Sequence, residues 1–168
     1  MKKLRKKKCE NCKKMFQPER QFQACCGIIC AIAYNNKKKA LEKNKAKLEY
    51  RKNDKTTQAK LAQKFFNEFI RLRDRDEGCI SCENNTRQMH AGHYRPAGSN
   101  PHLRFNEDNC HKQCSICNNF KSGNLVAYRK NLIKKIGIKR VEALENNKDH
   151  KKYTLEDYKK IIKKYRKS

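Results

Sequence analysis

Apolar residues are sparse in the first third of this chain and gather later at helical spacing. Between 57 and 76, Leu61, Phe65, Phe66, Phe69, Ile70 and Leu72 fall on one side of a helix that should pack against a core. Gly78 is placed to end it. Residues 31–55 carry few apolar anchors after Tyr34 and read as a polar, solvated helix, with Asp54 to Thr57 interrupting it and offering an N-cap. Short strand-like pieces lie within 86–112 around the polar loop Arg95 to Pro101. A helix should start near Ser115, run to Lys121 and stop at Gly123. Three more helical stretches follow: 125–136 with Leu125, Tyr128, Leu132 and Ile136; 138–146 with Ile138, Val141 and Leu144; and 154–166 with Tyr158, Ile161, Ile162 and Tyr165. The last opens on Thr154-Leu155-Glu156-Asp157, a variant capping box.

This pattern predicts a mostly helical α+β chain. We expect a basic arm and zinc knuckle over 1–30, a charged linker helix over 31–56, a core with its packing helix over 57–136, and C-terminal helices over 137–168. No apolar run approaches the roughly 18–20 residues that cross a bilayer, so no membrane span is expected.

Charge narrows the partners. Lysine and arginine total 43 against 17 acidic residues, a net +26 over 168 residues. So large a like charge repels itself unless a polyanion neutralises it, which makes nucleic acid the leading partner. Lysine dominates and is scattered, as suits phosphate contacts that carry no base information.

Ten cysteines change the picture of stability, because the hydrophobic fraction is only 36%. Met1-Lys2-Lys3-Leu4-Arg5 is followed by no apolar segment, so we expect no signal peptide, a cytoplasmic location and reduced thiols. Cys79-Ile80-Ser81-Cys82 and Cys114-Ser115-Ile116-Cys117 are two C-x2-C pairs, each placing two thiolates on one tight knuckle. Together they close a tetrahedral zinc site with a subdomain inserted between them. Cys9, Cys12, Cys26 and Cys30 form a second candidate set, in which Cys25 competes with Cys26 for the third position. Cys110 is left over and reads as a small buried hydrophobe. Two structural Zn²⁺ ions are therefore expected.

Between the C-terminal pairs lie Gly92-His93-Tyr94 and Asn109-Cys110-His111, and Asn118 follows the last cysteine. The order histidine strand, loop, asparagine strand, zinc knuckle, asparagine helix resembles the HNH, or ββα-metal, nucleases. Phosphodiester hydrolysis needs a base for water and a cation on the phosphate. The resemblance implies that His93 is the general base, that Asn109 orients the hairpin loop and the His93 ring, and that Asn118 binds a catalytic Mg²⁺ or similar divalent cation. In many such nucleases an aspartate or histidine immediately precedes the base and also binds the metal. Here that position is Gly92, so His111 or His90 must substitute. His111 is the favoured choice, because His90 would need a bulge to share the face of His93.

A closer resemblance runs through Ala91-Gly92-His93-Tyr94-Arg95, Leu103-Arg104-Phe105-Asn106-Glu107, Asn109 to Cys114, Cys117-Asn118 and Lys121 to Val126. Phe69 to Asp76 ahead of Cys79 fits as well. These strings are similar to the NinG (Rap) family of lambdoid-phage recombination endonucleases. That family implies a structure-specific nuclease acting on branched intermediates such as Holliday junctions and D-loops in the host cytoplasm, and a homodimer would supply the two cuts a junction needs. It is also similar in using Cys26 rather than Cys25. Arg95, Arg104 and Lys121 are the candidate DNA contacts near the hairpin, with residues 1–60 holding a neighbouring arm. The rival readings are a non-catalytic zinc protein binding nucleic acid through charge, and an HNH nuclease acting on linear duplex DNA.

Overall fold

The structure is a computed structural model and describes residues 4–166. The chain divides into two compact units, Met1–Lys52 and Asn53–Ser168. Both expectations of a mostly helical α+β chain and of small sheets hold.

The first unit has almost no apolar interior. A two-residue hairpin pairs β1 (Lys7–Lys8) with β2 (Met15–Phe16), antiparallel. Among its described residues only Cys9, Pro18 and Cys25 are buried. Helix α1 (Ile28–Asn53) starts three residues before the expected polar helix and so carries Cys30 near its first turn. It buries none of its side chains and holds seven lysines and one arginine against two glutamates.

The second unit is built on one antiparallel hairpin. Strands β3 (Met89–His93) and β4 (Cys110–Cys114) pair in unbroken register, from Met89 opposite Cys114 to His93 opposite Cys110. All five residues of β4 are buried, polar ones included. Helix α2 (Lys55–Arg73) lies against the hairpin and against α5 (Leu155–Tyr165). Phe66, Ile70, Cys110 and Tyr165 form that side of the core, with the Phe66 ring edge-on to Phe105 and Tyr165. On the other side, Tyr94, Leu103, Tyr128, Leu132, Val141 and Leu144 join the hairpin to α3 (Leu125–Ile136) and α4 (Ile138–Asn146). Both helix starts expected from side chains are present. Asp54 accepts from Thr57 N at 2.6 Å, and Thr154 and Asp157 form a reciprocal capping box.

The periodic pattern is narrower in space than in sequence. Leu72 is half exposed, as are Leu125 and Ile138, because each lies beside the helix stripe that meets the core. Helix α2 also stops at Arg73, five residues before Gly78. Asp74 caps it and turns its carboxylate inward. Arg73 donates to both of its oxygens at 2.8 Å, Lys112 N donates at 3.0 Å and Lys135 Nζ at 3.0 Å. Gly78 serves a different need: a Cβ there would sit 2.1 Å from the Glu83 carbonyl oxygen.

Asp74 thus ties α2, β4 and α3 together from a side chain only 2% exposed. Burial opposes its charge, but the donors from Arg73, Lys112 and Lys135 win and hold its carboxyl at about 2. Its contribution is therefore complete above the ordinary carboxyl value near 3.9 and is lost as pH falls towards 2. Asp74→Asn removes the carboxylate that Arg73 pairs with and leaves Lys135 with Glu77 alone. Each keeps about a quarter of its side chain in solvent, so the loss should fall at the low end for broken buried pairs, about 3 kcal/mol. Urea unfolding at pH 7 measures it, and the variant's deficit should vanish near pH 2.

Candidate metal centres and hairpin site

The two C-x2-C knuckles at Cys9 and Cys79 are the same turn. Cys9 O accepts from Lys13 N at 2.9 Å and Cys79 O from Glu83 N at 2.7 Å. Cys9 N donates to Lys14 O and Cys79 N to Asn84 O, both at 2.9 Å. The residue after the second cysteine, Lys13 or Glu83, has φ of 61° in each. This left-handed step points both thiols of a pair to one point.

Two clusters result: Cys9, Cys12, Cys26 and Cys30, and Cys79, Cys82, Cys114 and Cys117, with all sulfurs of a set within 4.8 Å of one another. Four Zn–S bonds of about 2.3 Å in a tetrahedron place sulfurs roughly 3.8 Å apart. The structure holds Cys12 and Cys26 at 3.8 Å and Cys82 and Cys114 at 3.7 Å. Thiol electrostatics fit a cation as well. Burial opposes charge on Cys9 and Cys114, yet backbone N–H groups bring them down to about 5 and about 6. Hydrogen bonding with Cys30 pushes Cys26 up to about 12, and burial does the same to Cys117. One thiolate in each set suppresses ionisation of its neighbours, a conflict that a bound dication removes. Cys25 is buried next to the first set but is not one of the four, and Cys110 lies in the α2 side of the core.

The hairpin positions the remaining candidates. Asn109 is fully buried and holds the loop at three points: its Oδ1 accepts from Arg95 N (2.8 Å), and its Nδ2 donates to Arg95 O (3.0 Å) and Leu103 O (3.2 Å). That fixes the carbonyl of the next residue, Arg104, which lies 2.8 Å from His93 Nε2. A carbonyl only accepts, so Nε2 carries the proton and Nδ1 keeps its lone pair, 3.9 Å from Cys110 Sγ. Burial holds His93 below the ordinary imidazole value, which keeps it neutral at pH 7.

Alternation along β3 gives Ala91 and His93 the α2 face and sends His90 and Gly92 to the other. The five-residue helical turn Ile116–Phe120 is wide, with Lys121 N bonding back to Ile116 O at 3.0 Å. It carries Asn118 to His90, where Asn118 Nδ2 donates to His90 Nδ1 at 3.4 Å. His90 needs no bulge for this, because Asn118 comes to the face His90 already has.

His111, the expected partner of Asn118, is placed elsewhere. It is 2% exposed and its Nδ1 lies 3.3 Å from the Tyr128 hydroxyl, which donates to Gly92 O at 3.0 Å. Burial, with Arg73 and Lys135 adding to it, drives its pKa down to about 3. His111 is a core residue that packs against Tyr128. Its position opposite Gly92 in the register decides this, and no spacing rule in the sequence reports which face a helix covers.

Gly92 leaves room for Gln113, whose Oε1 would lie 2.1 Å from a Cβ at that position. Gln113 Nε2 in turn donates to Ser81 Oγ (2.7 Å) and Gly123 O (2.5 Å), tying β4 to the Cys79 knuckle and to the turn after Asn118. Gln113 does not stand out by spacing, whereas His90 is the second choice behind His111. Of the candidate DNA contacts, Lys121 is exposed, while Arg104 reaches Gln63 Oε1 and Ala97 O at 3.4 Å and Arg95 is half-buried.

Zinc content tests the ligand sets. The purified chain should carry two Zn²⁺; Cys12→Ser or Cys117→Ser should lose one, and Cys25→Ser or Cys110→Ser should keep both, by elemental analysis. His111 predicts a separate pH effect. Its imidazole takes a proton near 6.5 when unfolded but resists it down to about 3 when folded. Its neutral burial therefore costs stability progressively as pH falls below 6.5. Chemical denaturation of His111→Asn should show a shallower decline between pH 6.5 and 4 than the parent.

The matches to known proteins run the length of the chain. A family model described as Bacteriophage Lambda NinG protein matches residues 1–168. Protein ninG of Escherichia phage lambda is 40% identical over 188 residues, covering 98% of this chain and 92% of the relative. Protein ninG of Escherichia phage 933W is 40% identical with the same coverage, and that of Salmonella phage P22 is 39% identical over 98% of this chain and 93% of the relative. No solved structure matches. A family match over every residue, with the cysteine knuckles and the hairpin inside it, makes this chain a member of the NinG family.

Proposed function

We propose that this NinG-family chain is a metal-dependent, structure-specific DNA endonuclease that cuts branched recombination intermediates of phage DNA. The observation that carries the reading is His93: a half-buried neutral imidazole with one nitrogen anchored to a carbonyl that Asn109 fixes. Asn109 thus supports the base without touching it. Such an imidazole accepts a proton from water at neutral pH without first having to lose one.

His90 and Asn118 are the residues that would hold the catalytic cation, one through an imidazole nitrogen and the other through its amide oxygen after an amide flip. The donor set fits a divalent ion that takes its remaining positions from water and phosphate. As ligands, an imidazole nitrogen and an amide oxygen bring no negative charge, so the cation would keep its full charge for the phosphate oxygens. His90 and His93 stand three residues apart on one strand, roughly 10 Å along it. The scissile phosphate would therefore cross the strand edge, with the cation pair on one side and the base on the other.

The charge of +26 supplies phosphate contacts without base reading. A junction's near two-fold symmetry suits a homodimer with one site per subunit. The host cytoplasm, where phage DNA recombines, is the proposed location. Among the described residues no hydrogen bond joins a carboxylate to the His90–Asn118 pair, which favours one rival, a zinc-containing nucleic-acid-binding protein with no catalysis.

Cleavage decides between them. With Mg²⁺ or Mn²⁺, the parent should cut four-way junctions and D-loops faster than linear duplex at equal salt. His93→Ala should lower the rate by about 10²- to 10⁴-fold with unchanged binding. His90→Ala should raise the cation concentration needed for half-maximal rate. The acid limb of the rate profile should lie below pH 6.5, because burial lowers the His93 pKa and only the neutral ring is a base. Junction binding without cleavage by the parent selects the non-catalytic protein.

A further inference from the structure

Phe120 is the one phenylalanine of the second unit that packs against nothing in the core. Phe65, Phe66, Phe69 and Phe105 all join the cluster on the α2 side, whereas Phe120 is 81% exposed. It sits two residues after Asn118, at the end of the wide turn, and is followed by exposed Lys121. Beyond the next turn, Val126 on α3 is 88% exposed, and exposed Lys130 follows it one helical turn later on the same face.

The backbone just beyond this ring is strained and tied down by hydrogen bonds. Ser122, Gly123 and Asn124 are three consecutive left-handed residues, with φ of 47°, 86° and 45°. Two of the three have a Cβ that disfavours the conformation. The segment is held there by Gly123 N on Cys117 O (2.9 Å), Gln113 Nε2 on Gly123 O (2.5 Å) and Asn124 Nδ2 on Cys117 Sγ (3.5 Å). A buried glutamine and a cysteine of the metal cluster therefore fix a turn whose outward product is a bare aromatic ring beside a lysine.

We propose that Phe120 is a stacking wedge, which takes an unstacked nucleobase at the branch point of DNA while Lys121 and Lys130 hold the adjoining phosphates. An aromatic ring stacks on any base, so the contact reads the presence of an open step and not its sequence. Intact duplex offers no such step. Preference for branched over linear DNA then comes from Phe120, and general affinity comes from charge. The ring's rigid mounting matters, because an apolar group held in place loses little freedom on stacking. This proposal rests on the branched-DNA reading above but not on cleavage.

The experiment is a binding titration without added catalytic cation, using four-way junctions with 2-aminopurine at the branch and linear duplex of equal length. The parent should raise 2-aminopurine emission on the junction. Phe120→Ala should abolish that rise and weaken junction binding by about 5- to 150-fold, the range of one base–aromatic stack. It should leave duplex affinity and zinc content unchanged, and Phe120→Trp should restore emission and preference. Equal losses on junction and duplex, or no change in emission and affinity, overturn the wedge; the latter result assigns the ring to a protein partner. If Phe120→Ala loses junction preference while the parent cuts nothing, the wedge stands and the nuclease reading falls.

Discussion

The second unit depends on closing Cys79, Cys82, Cys114 and Cys117 around one point. The apolar clusters are small and lie on the two faces of a five-residue hairpin, so neither reaches the far end of β4. There the four-cysteine cluster, which could hold a metal ion, serves as the core. It joins the knuckle after α2, the end of β4 and the turn that carries Asn118. A cation with four thiolates supplies directional bonds where too few carbon atoms are available to exclude water. The first unit takes the same solution further, since its four-cysteine cluster has almost no apolar surroundings at all.

Around that staple the interior is polar and specific. Every residue of β4 is buried, including His111, Lys112 and Gln113. His111 meets Tyr128, Lys112 Nζ donates to the Arg75 carbonyl, and Gln113 Nε2 donates to Ser81 and Gly123, while Gln113 Oε1 is buried without a partner. Buried polar groups are costly when unpaired, so these contacts fix one register and one arrangement of neighbours more strictly than apolar packing does. The arrangement extends to His93 through Asn109 and the Arg104 carbonyl. In the proposed chemistry it is this network that sets which ring nitrogen faces the reaction.

Charge has a separate role. The basic residues are spread over the helices, and α1 alone leaves seven lysines and one arginine unburied against two glutamates. Such surfaces bind phosphate in any sequence and respond to salt. In the proposed reading, selection among DNA shapes comes from the few features that are not simply basic, and the exposed Phe120 ring is one.

Much of this was legible in the residues. The paired cysteine spacings named both metal clusters, since a C-x2-C turn has one geometry wherever it occurs. The stripe from Leu61 to Leu72 gave α2, Asp54 and Thr154 gave two helix starts, and the histidine and asparagine strings gave the hairpin. The sequence did not tell that His90, and not His111, would meet Asn118. A strand's alternation defines two faces but says nothing of which helix covers each. Nor did it tell that Leu72 would face solvent or that Asp74 would end α2 to bind Arg73, Lys112 and Lys135. Local spacing is set by covalent geometry and is readable from the chain. The covering of a face is set by which distant element reaches it first with a matching surface, and only the folded chain decides that.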